Sequence, residues 1–162
     1  MTGFHKENSY QSFILLSRFI LSAVFLLSGF EKILHPQEEF IVSLKAYQLL
    51  PGSLLKPAAL LIPWVEVVSG LFLLIGLYYS YAVISVGLLL ILFTSAIAST
   101  LIRGISLEDC GCFKSLGFTE SGPTALIRNL ILLLFWLNLF LFKGKRQWTL
   151  DSRLNATEED TP

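Results

Sequence analysis

The residues of this chain best suited to chemistry are Cys110 and Cys112, its only two cysteines, which are separated by Gly111. A disulfide between them would close a very small ring, whereas disulfides prefer Cα atoms about 5.5–6 Å apart. A strained disulfide has a raised reduction potential, and one that closes so short a loop stabilises a fold little. The pair is therefore a candidate catalytic dithiol, in which one thiol attacks and the other resolves. The alternatives are a reduced structural turn and half of a metal site, although two sulfurs without a nearby histidine do not complete zinc coordination.

A second set of chemistry-bearing residues consists of charged side chains inside apolar stretches. They are Arg18, Glu31, Lys32, Glu66 and Arg128. A charge at the centre of a membrane helix costs about 2.5–3.5 kcal/mol even on the mildest scale, so such residues usually pair or line a cavity. Counted along helices, the last four fall in the half of a bundle nearest the cysteines, and Arg18 falls near the opposite face. Either Glu66 pairs with Lys32 or Arg128 as a packing contact, or the four form a supporting polar cluster that tunes a thiolate or holds a quinone headgroup.

Trp64 stands two residues before Glu66 and directly follows Pro63. An aromatic ring close to a polar cluster is a candidate stacking surface for a bound cofactor, and quinone is the cofactor that this arrangement suggests. An ordinary lipid-facing tryptophan would occupy the same place in the sequence. Both interpretations stay open from the residues alone.

The elements that must position these residues are apolar stretches long enough to cross a membrane. Of the 162 residues, 54% are hydrophobic, and the mean hydropathy is +0.67. Because a spanning helix needs about 20 apolar residues, the stretches predict four spans at about 13–34, 57–78, 81–102 and 124–142. We therefore expect an all-α integral membrane protein, a four-transmembrane-helix bundle surrounded by membrane lipid. The formal net charge of zero gives no indication of nucleic-acid binding.

The polar segments complete the predicted organisation. Residues 1–12 form a polar leader, and residues 143–162 form a charged tail. Residues 37–52 are too polar to cross a membrane, but their apolar side chains recur at three- and four-residue spacing. That spacing predicts a short amphipathic helix in the membrane interface, between spans one and two.

The expected orientation follows from the basic residues that flank the spans. Lys143, Lys145 and Arg146 lie immediately after span four. Because short basic flanks favour the cytoplasmic side, we expect both termini to be cytoplasmic and the cysteines to face outward. Disulfides persist on that side.

The chain resembles the DoxX-like membrane proteins through short motifs spread along residues 13–142. In order, they are Ser28-Gly29-Phe30-Glu31-Lys32, Tyr47-Gln48-Leu49-Leu50-Pro51, Pro63-Trp64-Val65-Glu66, Asp109-Cys110-Gly111-Cys112-Phe113 and Arg128-Asn129. The Cys-Gly-Cys-Phe element followed by Arg-Asn is similar specifically to the methylamine utilisation protein MauE branch. Lys114 follows Phe113 here, where the family commonly has glycine.

The resemblance implies a multi-pass protein of the bacterial inner membrane. MauE is associated with maturation of the disulfide-rich small subunit of methylamine dehydrogenase, and DoxX-like relatives include a subunit of a thiosulfate:quinone oxidoreductase. We therefore favour a redox-associated protein, a possible thiol–disulfide oxidoreductase, that matures exported client proteins through Cys110 and Cys112. Its electrons would leave through quinone or a partner oxidoreductase.

Two other functional hypotheses stay open. One is a non-catalytic assembly or accessory subunit of a membrane or periplasmic oxidoreductase complex. The other is a small-solute transporter, which four short spans without paired broken helices disfavour.

Overall fold

Helices account for all the regular secondary structure in residues 3–104 and 121–141, the part of the chain that the computed structural model describes. The helices are α1 (Gly3–Leu34), α2 (Gln37–Ala46), α3 (Gly52–Ile75), α4 (Tyr79–Ile102) and α5 (Gly122–Leu141). By length and composition, four of them can cross a membrane: α1 from Ser12 onward, α3, α4 and α5. The predicted all-α architecture with four spans is therefore confirmed, and α2 is the short helix expected between spans one and two. Cys110, Cys112 and the charged tail at 143–162 lie outside the described residues.

The four long helices form a ring. Helix α1 packs on α3 and α5, and α4 packs on the same two helices from the other side. Successive crossings alternate in direction, so the end of α1, the start of α3, the end of α4 and the start of α5 share one side of the bundle. Helix α2 lies on that side and packs mainly on α3.

The centre of the ring is apolar. Leu21, Leu73 and Val83, from three different helices, are fully buried there. Large apolar side chains also cover the outward faces of the spanning helices, where they are exposed. This is the pattern expected of helices whose outer faces contact lipid rather than water.

Helices α1 and α3 approach each other closely at two glycines. A Cβ atom added at Gly29 would lie 2.6 Å from Cγ2 of Val67, and one added at Gly70 would lie 3.2 Å from the side chains of Phe25 and Leu26. Small residues allow such close approach between membrane helices. The approach at Gly29 brings the last turn of α1 against the middle of α3.

The helix ends differ from the boundaries that hydropathy predicts. Most of the polar leader is helical, since α1 begins at Gly3, and α3 begins at Gly52 rather than near residue 57. Pro51 occupies the N-cap of α3 with a φ of −62°. Packing stabilises the first turns of α3, because Leu55 and Ala59 pack against apolar residues of α2. A hydropathy pattern does not record this contact.

The turn between α3 and α4 is short. It contains Gly76 with a φ of +79° and Tyr78 with a φ of +47°. The left-handed conformation at Gly76 ends α3, and its backbone N–H donates to the carbonyl of Phe72, as in common helix C-caps. The turn makes α3 and α4 antiparallel neighbours.

Candidate functional site

A buried ion pair between Lys32 of α1 and Glu66 of α3, called the polar centre below, lies in the half of the bundle where α1 ends. The Lys32 ammonium donates hydrogen bonds to Oε1 of Glu66 at 2.7 Å and to Oε2 at 2.8 Å. It donates a third to the hydroxyl oxygen of Ser28 at 2.9 Å. Both charged side chains are only 2% exposed. Because an ammonium has three donors, these contacts use its whole hydrogen-bonding capacity.

Two aromatic rings complete the surroundings of the ammonium. Nζ of Lys32 lies 5.2 Å from the ring centroid of Phe40 and 5.0 Å from that of Phe93. These distances are within the range of cation–π interactions. Phe40 belongs to α2, so this helix covers the charged centre from the side where α1 ends.

Local sequence explains how α1 presents these groups. Ser28 and Lys32 are four residues apart, which places them on one face of a helix. Gly29 lies beside them at the close approach to α3. The same turn of α1 therefore supplies a cation, a hydroxyl acceptor and the space that allows Glu66 to come near.

Glu66 also faces a small, partly open cavity of about 30 Å³ between the helices. Its walls are formed by Val24, Phe25, Ser28, Glu66, Leu90, Phe93, Arg128, Asn129 and Leu132. The structure thus brings Arg128 of α5 to the same cavity as Glu66. Glu31, the other predicted member of the cluster, is partly buried beside Lys32 on α1. The cavity has room for water but not for a drug-sized ligand, whose pockets are at least tenfold larger.

The structure places Trp64 away from this centre. Residues two apart on a helix point in nearly opposite directions, so Trp64 is 55% exposed while Glu66 is buried. Trp64 lines a separate groove of about 320 Å³ between α3 and α4. A cofactor role for Trp64 stays a prediction, and it would concern this groove rather than the ion pair.

Arg18 forms a second polar contact between α1 and α3, at the opposite side of the bundle. Its Nε donates to the carbonyl of Leu73 at 2.6 Å, and its Nη2 donates to the carbonyl of Leu74 at 2.7 Å. The guanidinium carbon lies 6.0 Å from the ring centroid of Tyr79. Arg18 therefore satisfies carbonyls at the end of α3, which lack partners within the helix.

Sequence reasoning identified the charged members of these contacts but missed several of their partners. Ser28 could have been found, because it precedes Lys32 by one helical turn. Gly76 marks the end of a helix, where the last carbonyls have no donors within the helix. The sequence could therefore have indicated that a donor such as Arg18 is needed there. Phe40, Phe93 and Asn129 carry no local signal, because their roles depend on how the helices pack.

The described centre is suited to holding helices together. Lys32 and Glu66 neutralise each other and are shielded from solvent, and every proton of the ammonium is engaged. Within residues 3–104 and 121–141, this arrangement offers a charged pair rather than an activated nucleophile. Breaking such a pair is costly because it leaves one charge buried alone.

Comparisons with known proteins agree on one family. The family model described as "Methylamine utilisation protein MauE" matches residues 10–142. The methylamine utilization protein MauE of Methylophilus methylotrophus is 38% identical over 81 residues, which cover 50% of this chain and 43% of that protein. The protein of the same name from Paracoccus denitrificans is 30% identical over 116 residues, which cover 71% of this chain and 61% of that protein. The matches thus span about half the length of these relatives, and no solved structure matches the chain.

Proposed function

We propose, from the premise that this chain belongs to the methylamine utilisation protein MauE family, that it is a membrane accessory protein of a bacterial methylamine utilisation system. The observation that carries this proposal is the buried pair of Lys32 and Glu66. A centre in which the charges satisfy each other is suited to maintaining a bundle. The cavity beside it, of about 30 Å³, is also far smaller than the pockets that bind small-molecule substrates.

A finer form of the proposal assigns thiol–disulfide chemistry to Cys110 and Cys112. These are the only cysteines of the chain, and they lie between α4 and α5 in the sequence. In this scheme, two thiols of an exported client become a disulfide while the Cys110–Cys112 disulfide is reduced to a dithiol. A quinone or a partner disulfide then accepts the two electrons and two protons, which restores the starting state.

The scheme needs a location and an electron acceptor. The basic residues after α5 favour a cytoplasmic C-terminus, which would put the cysteines on the periplasmic side of the inner membrane. A quinone would find an apolar groove beside Trp64, and Tyr81 and Ser85, which carry hydroxyl groups, line the same groove. Trp64 and Tyr81 are exposed along this groove, so a quinone dissolved in lipid would reach them.

Complementation of a deletion strain tests the two levels of the proposal separately. The strain receives the wild-type chain, the double variant Cys110→Ser/Cys112→Ser, or the control Ser95→Ala, which changes an exposed residue of α4. The readouts are growth on methylamine and the disulfide content of exported proteins, measured with thiol-reactive mass tags. We expect deletion to abolish growth and the control to restore it.

The double variant then decides between the two forms. If client disulfides are lost, the cysteines carry the function. If growth and client disulfides are both restored, the chain is an accessory protein without a redox role. Normal growth of the deletion strain would overturn the proposal as a whole.

A further inference from the structure

Asn129 is a buried polar residue of α5 that takes no part in the ion pair. It is 5% exposed and lines the cavity beside Glu66. Within the described part of the chain, no protein group hydrogen-bonds to its amide. An asparagine amide carries two donor hydrogens and an acceptor oxygen, and buried polar groups are nearly always hydrogen-bonded, to protein or to water.

The cavity can supply what the Asn129 amide lacks. Its volume of about 30 Å³ exceeds the space that one water molecule needs, which is about 10–15 Å³ by the same kind of measure. A buried water also needs two to four polar partners. Ser28, Glu66, Arg128 and Asn129 all line the cavity and meet that condition.

The hydrogen-bonding capacity of these walls is complementary to water. Each carboxylate oxygen of Glu66 accepts one bond from Lys32, and a carboxylate oxygen can accept more than one hydrogen bond. The hydroxyl of Ser28 accepts from Lys32 and keeps its own hydrogen to donate. The amide of Asn129 both donates and accepts, so the walls offer both kinds of partner to a molecule that itself donates and accepts.

The charges around the cavity disfavour ionic occupants. A metal cation would lie close to the two positive side chains of Lys32 and Arg128, and an anion would lie against the carboxylate of Glu66. Like charges in a low-dielectric interior repel strongly. A small neutral molecule with both donor and acceptor capacity avoids both penalties.

We propose that this cavity is an internal hydration site, in which one or two water molecules link Glu66 of α3 to Asn129 and Arg128 of α5. The site extends the polar centre from α1 and α3 to a third helix. It keeps Asn129 hydrogen-bonded inside the bundle and connects its amide to the Glu66 carboxylate. The inference is independent of the proposed accessory function, since it concerns the bundle interior alone.

Radiolytic footprinting of the full chain in lipid nanodiscs tests the proposal. A millisecond X-ray pulse generates hydroxyl radicals from water, and a radical formed from a bound water oxidises the side chains next to it. Leu132 lines the cavity, whereas Leu139 lies two turns further along the same helix and does not. The two leucines are similarly buried, at 5% and 1% exposure, so they form a matched pair.

We expect Leu132 to be oxidised several-fold faster than Leu139 in the wild-type protein. Equal rates at the two leucines would overturn the proposal, and this comparison needs no variant. In Asn129→Leu, an apolar side chain replaces the amide, and oxidation of Leu132 should fall to the rate of Leu139. Undiminished oxidation of Leu132 in a folded Asn129→Leu protein would show that Asn129 does not hold the water. Should that variant not fold, Ser28→Ala, which removes another polar wall, should lower the Leu132 rate, and an unchanged rate would count against the site.

Discussion

Lys32 lies two residues before the end of α1, yet its partner Glu66 lies fourteen residues after the start of α3 on the same side of the bundle. Helix α3 therefore continues roughly 21 Å beyond the ion pair, whereas α1 continues only about 3 Å. Helix α2 occupies the space that this difference leaves, with Phe40 packed over the ammonium. The pair is thus an interior feature, although Lys32 belongs to the last turn of its helix.

Replacing Glu66 by glutamine should destabilise the protein strongly. The variant would leave the Lys32 ammonium buried without a counter-charge, and breaking a buried pair in this way costs about 3–5 kcal/mol. The free energy of unfolding can be measured by titration with SDS in mixed micelles. The double variant Lys32→Met/Glu66→Gln removes both charges and should be less destabilised than Glu66→Gln alone. A Glu66→Gln protein as stable as the wild type would contradict the structure.

Truncating Phe40 should weaken the cover over the ion pair. Phe40 is 8% exposed and lies in the apolar contact between α2 and α3, so Phe40→Ala should lower the free energy of unfolding by about 3 kcal/mol. Val42 on the same helix is 65% exposed, and Val42→Ala should change stability by less than about 0.5 kcal/mol. The same SDS titration measures both variants, and equal losses would argue against the role of α2 as a cover.

The guanidinium of Arg18 should not be replaceable by an ammonium without loss. Arg18 reaches two successive carbonyls, those of Leu73 and Leu74, with two separate nitrogens, which suits a planar fork better than a point donor. Arg18→Met should cost about 1–3 kcal/mol, because it leaves carbonyls without donors. Arg18→Lys should fall between the methionine variant and the wild type. Thermal unfolding in nanodiscs gives the order of the three stabilities. A lysine variant as stable as the wild type would show that the planar guanidinium is not required.

A methyl group at Gly87 should disturb the contact between α4 and α5. The added Cβ would lie 2.3–2.4 Å from the indole ring of Trp136, whose Nε1 donates to the carbonyl of Val83 at 2.8 Å. Such overpacking costs about 1–3 kcal/mol. Gly52→Ala is the matched control, because nothing lies within 4 Å of a Cβ at that position. Comparable unfolding midpoints for Gly87→Ala and Gly52→Ala would show that α5 moves to accommodate the added methyl group without a loss of stability.

Hydropathy predicts the number of spans because each span is a local property of about 20 residues. It also identifies the buried charges, since a charge in an apolar stretch stands out in the sequence. It does not predict where α3 begins. The first turns of α3 are buried by Phe40 and Leu44 of α2, and that contact exists only after the chain has folded.

The candidate site shows the same division between local and tertiary information. The sequence leaves both Lys32 and Arg128 open as ion-pair partners of Glu66. That Lys32 is the partner depends on the close approach of α1 and α3 at Gly29, which is a tertiary feature. Helical geometry alone predicts that the side chains of Trp64 and Glu66 point to different sides of α3, because residues two apart point in nearly opposite directions. The roles of Cys110 and Cys112 stay a prediction, with the complementation experiment as its test.

The two cations in the membrane-spanning part of α1, from Ser12 onward, also bear on how the protein enters the membrane during synthesis. Arg18 and Lys32 are separated by fourteen residues, roughly 21 Å along the helix, and both find their partners on α3. On its own in lipid, α1 would carry these two cations without their partners, and an intramembrane charge opposes insertion by up to about 2.5–3.5 kcal/mol, the value for a helix centre. Because Glu66, Leu73 and Leu74 leave the ribosome only later, α1 is expected to wait beside the translocon until α3 emerges. The first two crossings of this protein would then enter the bilayer together, as a hairpin whose second helix supplies the partners of both cations.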